Sequence, residues 1–253
     1  MGNRTTTTAI RMPTATPMTT IIMAMTTIMT TEAALYRLMT WLSPAYPLGS
    51  FSYSHGVEYA VEAELVTDRA GLRDYIATVL LDGAGRLDGA LLAAAWRADD
   101  DDAKLDALAE LASAWRGTTE TALESSAQGA AFVRTTIAAW PDARLKAFAE
   151  RHEGRAPFCI AFGIAAAAQG IPLEATLTGY LQAFAANLVS AGVRLVPLGQ
   201  SDGQAVLAAL APVVVEAVQA ALAADLDCLG TAAPMLDWCS MRHETQYTRL
   251  FRS

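Results

Sequence analysis

Three histidines, three cysteines and a scatter of carboxylates are the groups in this 253-residue chain that could do acid–base, nucleophilic or metal chemistry. His55, His152 and His243 form no HExxH pair and no histidine-rich tract. His243 and Glu244 are adjacent, so on a helix they take different azimuths and do not chelate one ion together. Ser52, Ser54 and His55 lie close in sequence, but no nucleophile elbow surrounds them, and short spacing alone does not activate a hydroxyl. Glu120 and Glu124 stand one helical turn apart, the spacing of a paired-carboxylate site. The plainer reading puts Glu120 at the positive end of a helix and pairs Glu124 with an arginine. Asp99 to Asp102 could gather a cation, and reads more simply as a solvated helix start. Cys159, Cys228 and Cys239 are odd in number and lie outside any CxxC, which indicates neither a disulfide framework nor a structural zinc site and fits a reducing cytoplasm. Cys159, between Phe158 and Ile160, reads as a small core residue.

A nucleotide hydrolase needs a glycine-rich loop ending in Gly-Lys-Ser or Gly-Lys-Thr, and neither Lys104 nor Lys146 follows a glycine, so the chain is no P-loop GTPase. Gly163 and Gly170 sit in alanine-rich sequence and read as packing or capping positions. A formal charge of −8 argues against nucleic acid as a partner, because neutralising phosphates takes clustered Lys and Arg. The uncharged stretch from Ala175 to Val193 approaches the length of a membrane span, but its Thr, Gln, Asn, Ser and Gly residues favour a buried helix.

The elements that must position these groups are helical. Hydrophobic residues make up 53% of the chain, alanine is abundant, and β-branched residues do not alternate. The expected fold is all-α, a single helical domain of roughly nine or ten helices in two layers. Helices are expected over Ala33–Leu42, Gly56–Ala63, a third capped by Thr67 or Asp68, Leu87–Trp96, Lys104–Trp115, a long one from Thr118 or Thr119 to Trp140, Ala143–Arg151, Phe158–Gln169, Leu173 to about Val196, and Gly203–Ala224. Pro212 should kink or divide the last. Residues 1–31 hold twelve Thr, six of the nine Met and no acid, which reads as a disordered or over-extended start. The expected core is 32–236, with 237–253 as a C-terminal docking tail. That tail mixes Tyr247, Leu250 and Phe251 with Arg242, Arg249 and Arg252, a composition suited either to a partner or to the chain's own core.

Four stretches, in order, resemble one family. They are Leu42 to Glu58 (LSPAYPLGSFSYSHGVE), Glu120 to Gly129 (ETALESSAQG), Arg194 to Gln204 (RLVPLGQSDGQ) and the closing HETQYTRLFRS, and together they are similar to the UreF family of urease accessory proteins. The resemblance runs from about residue 33 to the end. It implies an all-helical, non-enzymatic, cytoplasmic chaperone, commonly a homodimer, that joins the UreD/UreH accessory protein and the UreG GTPase to deliver nickel to apo-urease. It implies no tightly bound cofactor, nickel in transit at most, and no nucleic-acid or membrane partner. It also implies partner-contacting residues at Pro47, Gly49, Phe51, Tyr53 and Glu58, at Glu120 and Glu124, at Arg194, Gln200 and Gln204, and in the tail at Arg242, His243, Glu244, Gln246, Tyr247, Arg249, Leu250, Phe251 and Arg252. One departure is Ala122, where the family pattern would place Arg. The alternative, from a different class, is a helical enzyme or metal-binding module using His55, His243 and nearby acids.

Overall fold

The computed structural model describes residues 32–98 and 100–253. The Thr/Met-rich start and Asp99 lie outside the described residues. Helices α1 (residues 32–41), α2 (Val57–Glu62), α3 (Arg69–Leu81), α4 (Ala84–Arg97), α5 (Asp102–Ala114), α6 (Thr119–Ala139), α7 (Ala143–Arg151), α8 (Phe158–Ala168), α9 (Leu173–Leu195), α10 (Gln200–Leu222) and α11 (Pro234–His243) make up one all-helical domain, with short 3-10 turns at Ser50–Ser52 and Leu226–Cys228. Among the described residues there is no strand.

Local chemistry sets the helix starts. Asp68 accepts from the Gly71 amide at 2.8 Å and Asp101 from Lys104 at 3.0 Å, and Asp142 caps α7 in the same way. Of the acid run, Asp101 is therefore a cap, while Asp100 and Asp102 reach Arg144 and Arg151 at the surface. Thr118 caps α6 in a reciprocal box with Thr121. Pro234 opens α11, a helix the sequence patterning did not separate from the tail. Gly170, at φ 66°, follows the end of α8 in the left-handed region, the capping role expected of it.

Around α9 pack α2, α3, α4 and α10, and α8 lies between α4 and α6. Trp41 meets Phe132 and Phe162 edge-on at 5.5 and 5.8 Å in the centre, those two rings lie tilted at 5.2 Å, and Phe158 and Tyr180 extend the cluster. Close approach of α6 to the segment before α8 requires Gly129, where a Cβ would sit 1.8 Å from the Ala156 carbonyl oxygen. Cys159 is fully buried, as expected. The uncharged Ala175–Val193 stretch is the body of α9, with Leu177, Leu181 and Leu188 in the core. By length and composition alone, α10 is the one helix among the described residues able to cross a membrane, and one face of it, including Val206, Leu210 and Val218, is buried in the fold. Pro212 does not divide α10. It removes one amide donor from an exposed position, and packing on both sides carries the helix through.

Candidate functional site

The loop between α1 and α2 turns through two glycines, Gly49 at φ 73° and Gly56 at φ 79°, with His55 between them also in the left-handed region at φ 55°. A side chain at Gly56 would press on the Ser240 amide and the Tyr75 hydroxyl, each 3.0 Å away, so this turn fits only because residue 56 has no Cβ. The turn delivers Glu58 to the first turn of α2, facing the start of α6 and the end of α11.

There the tail closes over three buried carboxylates. Glu58 accepts from the Leu250 amide at 2.6 Å, the Phe251 amide at 2.9 Å and His243 Nε2 at 2.9 Å. Glu120 accepts from His243 Nδ1 at 2.9 Å and from Arg249 at 3.2 Å. Glu124 meets His55 Nδ1 at 3.3 Å, Gln128 Nε2 at 3.1 Å and the Ser253 hydroxyl at 3.3 Å. The expected arginine partner of Glu124 is thus replaced by a histidine, an amide and a hydroxyl, because Arg249 and His243 both go to Glu120.

His243 has no exposed side-chain surface. Its two nitrogens face ionisable carboxylates that can only accept when charged, so both carry hydrogen and the ring is an imidazolium. Burial pulls its pKa down, but hydrogen bonds to Glu120 and Glu58, and the charges of those groups, outweigh burial and hold it above the ordinary histidine value. Because the two nitrogens point at different carboxylates, they cannot converge on one ion. No group of three or more His, Cys, Asp or Glu suited to a metal ion occurs among the described residues.

Main-chain contacts stitch the tail further. The Ser54 amide donates to the Ser253 carbonyl at 2.6 Å, the Ser54 hydroxyl donates to the same oxygen, and the Arg252 amide donates to Ser52 O at 2.7 Å. Ser54 is therefore spent on the tail and faces no base. Phe251 is buried under the Arg194 guanidinium, 4.3 Å from the ring centroid, and Arg194 also donates to the Phe51 carbonyl at 3.0 Å. Glu244 accepts from the Thr119 amide, Gln246 donates to Glu62, and Arg242 lies over the Tyr59 ring.

The residues expected to contact partners divide into two groups. Tyr53, Glu58, Glu120, Glu124, His243 and Phe251 are buried and hold the chain to itself. Phe51, Tyr247 and Leu250 are 65%, 103% and 64% exposed; Arg252 is exposed too, and Arg249 is partly exposed while its guanidinium turns in to Glu120. Pro47 is exposed and Gly49 half-buried in the preceding loop. Gln200 and Gln204 are exposed on the first turns of α10, and none of the tail contacts involves them. Ala122 is also exposed, on the first turns of α6. The docked tail spans the expected boundary at residue 237, since α11 begins at Pro234.

The family model described as UreF matches residues 66–211. The chain belongs to the UreF family. A urease accessory protein UreF of Granulibacter bethesdensis is 60% identical over 226 residues, covering 88% of this chain and 96% of the relative. One from Rhodopseudomonas palustris (strain BisA53) is 52% identical over 223 residues, covering 87% and 94%. One from Methylorubrum populi is 51% identical over 219 residues, covering 86% and 98%.

A second polar cluster was not foreseen from the sequence. Arg116 pairs with Asp88 at 2.5 Å and Tyr180 donates to the other oxygen of Asp88 at 2.8 Å, all inside the core. Burial works against the Arg116 charge, but Asp88 outweighs it and keeps the guanidinium protonated. A sequence signal existed. In α4 an acid at 88 falls on the same stripe as Leu91, Leu92 and Ala95, a position where a charge needs a buried partner. This cluster and the His55–Glu124 pair line a cavity of about 360 Å³ walled by Trp41, Phe158 and Phe184.

Proposed function

We propose that the chain is a non-enzymatic scaffold of urease maturation that docks the UreD/UreH accessory protein and the UreG GTPase, so that the assembly delivers nickel to apo-urease in the cytoplasm. The observation that carries this reading is the docked tail. A segment pinned through its main chain and through His243 leaves its own Tyr247, Leu250 and Arg252 exposed, next to the loop that exposes Phe51. Large exposed apolar groups flanked by arginines on an ordered backbone are the makings of an interface hot spot for an acidic partner, since little ordering entropy remains to be lost on binding. Nickel passes with the assembly and is not tightly held by this chain, a reading supported by the divergent nitrogens of His243. The outer face of α10, with exposed Ala208, Ala211 and Val215 beside Glu216, supports a homodimer.

Co-purification of the full chain with UreD/UreH and UreG tests the reading. Tyr247→Ala and Leu250→Ala should each weaken retention roughly thirtyfold, the effect of losing about 2 kcal/mol at an anchor, while Thr248→Ala should barely change it. Both side chains are exposed, so folding should be unaffected. Unchanged retention in both variants would refute a tail-borne docking surface.

A further inference from the structure

A fully buried histidine held between two carboxylates on separate helices is a poor choice for a static brace, because its charge can be removed by one proton. We infer that His243 is a proton-operated latch: its imidazolium holds residues 244–253 on α2 and α6, and its deprotonation as pH rises releases that segment and the surface it presents. The consequence for partners rests on the scaffold reading above, whereas the latch itself concerns this chain alone.

The cluster is built so that one proton matters. Glu58 and Glu120 face the imidazole from α2 and α6, at 2.9 Å on either side. Arg249 of the tail is the only other cation that touches Glu120 among the contacts described. With the ring charged, two cations balance two carboxylates. Without that proton, one nitrogen presents a lone pair to a carboxylate and the buried cluster carries an uncompensated negative charge.

Other titratable groups nearby are otherwise engaged. Glu124, the next turn of α6, is taken by His55, Gln128 and Ser253. Glu62 of α2 meets Gln246, and Glu244 caps the α6 start. On α11, Arg242 lies over Tyr59, and Cys239 is hydrogen-bonded to Tyr75 of α3. None of these can replace the lost charge at the ring.

The direction follows from linkage. A histidine whose folded pKa is raised contributes stability that is fully present below its unfolded value, about 6.5, and is lost as pH rises through the folded value. Docking should therefore be firmest below about pH 6.5 and loosen as pH rises through the raised folded value. Glu58 is the pivot of release, because the same carboxylate receives the Leu250 and Phe251 amides. Once the ring no longer neutralises it, water competes for that carboxylate and the tail amides lose their acceptor.

Hydrogen–deuterium exchange of residues 245–253 in the full chain, corrected for intrinsic base catalysis and followed from about pH 6 to about pH 10, reads the latch directly. Protection of this segment should fall at least tenfold across the range while α9 and α4 stay protected. His243→Gln, which keeps a polar ring-sized group but takes no proton, should leave the segment poorly protected and flat with pH. Arg249→Gln removes the other cation, so the His243 titration should move to higher pH while the tail is less protected at every pH, and this variant does not depend on a position-243 mutant folding. The histidine titration in the unmodified chain, read by NMR of the imidazole carbons, should share the midpoint of release. A tail whose protection ignores pH, or a His243 that is already neutral at pH 6, overturns the latch. Retention of UreD/UreH and UreG measured alongside separates the two readings. A titrating tail with pH-independent retention would count against the docking surface and leave the latch intact.

Discussion

Replacing Glu58 by glutamine tests how the tail is held, because the side chain keeps its shape and loses only its charge and one acceptor. In the structure this carboxylate receives three donors, the Leu250 and Phe251 amides and His243 Nε2, and it is 6% exposed. Hydrogen bonds to a charged acceptor contribute about 1.5–3 kcal/mol each, against about 0.5–1.5 for neutral ones. Glu58→Gln weakens two of the three and turns an NH2 group toward the third donor, leaving that donor unsatisfied at a cost of about 1–3 kcal/mol. The sum is roughly 3–4 kcal/mol of docking free energy, or two to three orders of magnitude in the population of the undocked tail. Glu62→Gln is the control. It touches only Gln246 at an exposed position and should cost well under 1 kcal/mol. Amide exchange of residues 245–253 measures the first effect, and retention of UreD/UreH and UreG should fall with it. Equal tail protection in Glu58→Gln and the parent chain, or equal losses in Glu58→Gln and Glu62→Gln, would show that the carboxylate is not what holds the tail.

Two further substitutions probe the frame. Gly129→Ala places a Cβ 1.8 Å from the Ala156 carbonyl oxygen, and backbone, not a flexible side chain, has to move. It should lower stability by about 3 kcal/mol or more, a fall of about 10 °C in Tm by circular dichroism, and a Tm within a degree or two of the parent would contradict the packing described. Pro212→Ala restores an amide donor inside α10 at an exposed site, and should raise stability by about 1–2 kcal/mol, seen as a gain of a few degrees in Tm.

Most of the fold was legible because helices announce themselves locally. Asp68 and Thr118 marked starts, Leu72, Ile76, Val79 and Leu80 marked a buried face, and each signal needs only a few neighbouring residues. Helix α11 was missed for the opposite reason. Its inner face is Leu236, Cys239, Ser240 and His243, half of it polar, while Met235, Trp238 and Met241 point outward, so apolar periodicity describes the wrong side. The site was legible only as a set of motifs. Nothing local tells that Glu58, Glu120 and Glu124 serve one tail, because the contacts join residues more than 120 positions apart. The pairing of Glu124 with an arginine was inferred from composition, which cannot rank a near arginine against a nearer histidine.

The shared start of α6 has a consequence for how the chain is made. Thr118 completes that helix end by bonding Ser240 at 2.8 Å, and the Thr119 amide is satisfied by Glu244. His243 is separated from Glu58 by 185 positions, and Ser253 from Ser54 by 199. During synthesis Glu58 and Glu120 therefore exist, and the helices carrying them can pack, before His243 and Arg249, which neutralise them, have been made, whereas Glu124 already has His55 beside it. A nascent chain ending before Ser240 would hold packed helices with a wet, negatively charged notch at Glu58 and Glu120 and an open start to α6. The notch can close only when residues 240–253 have been made.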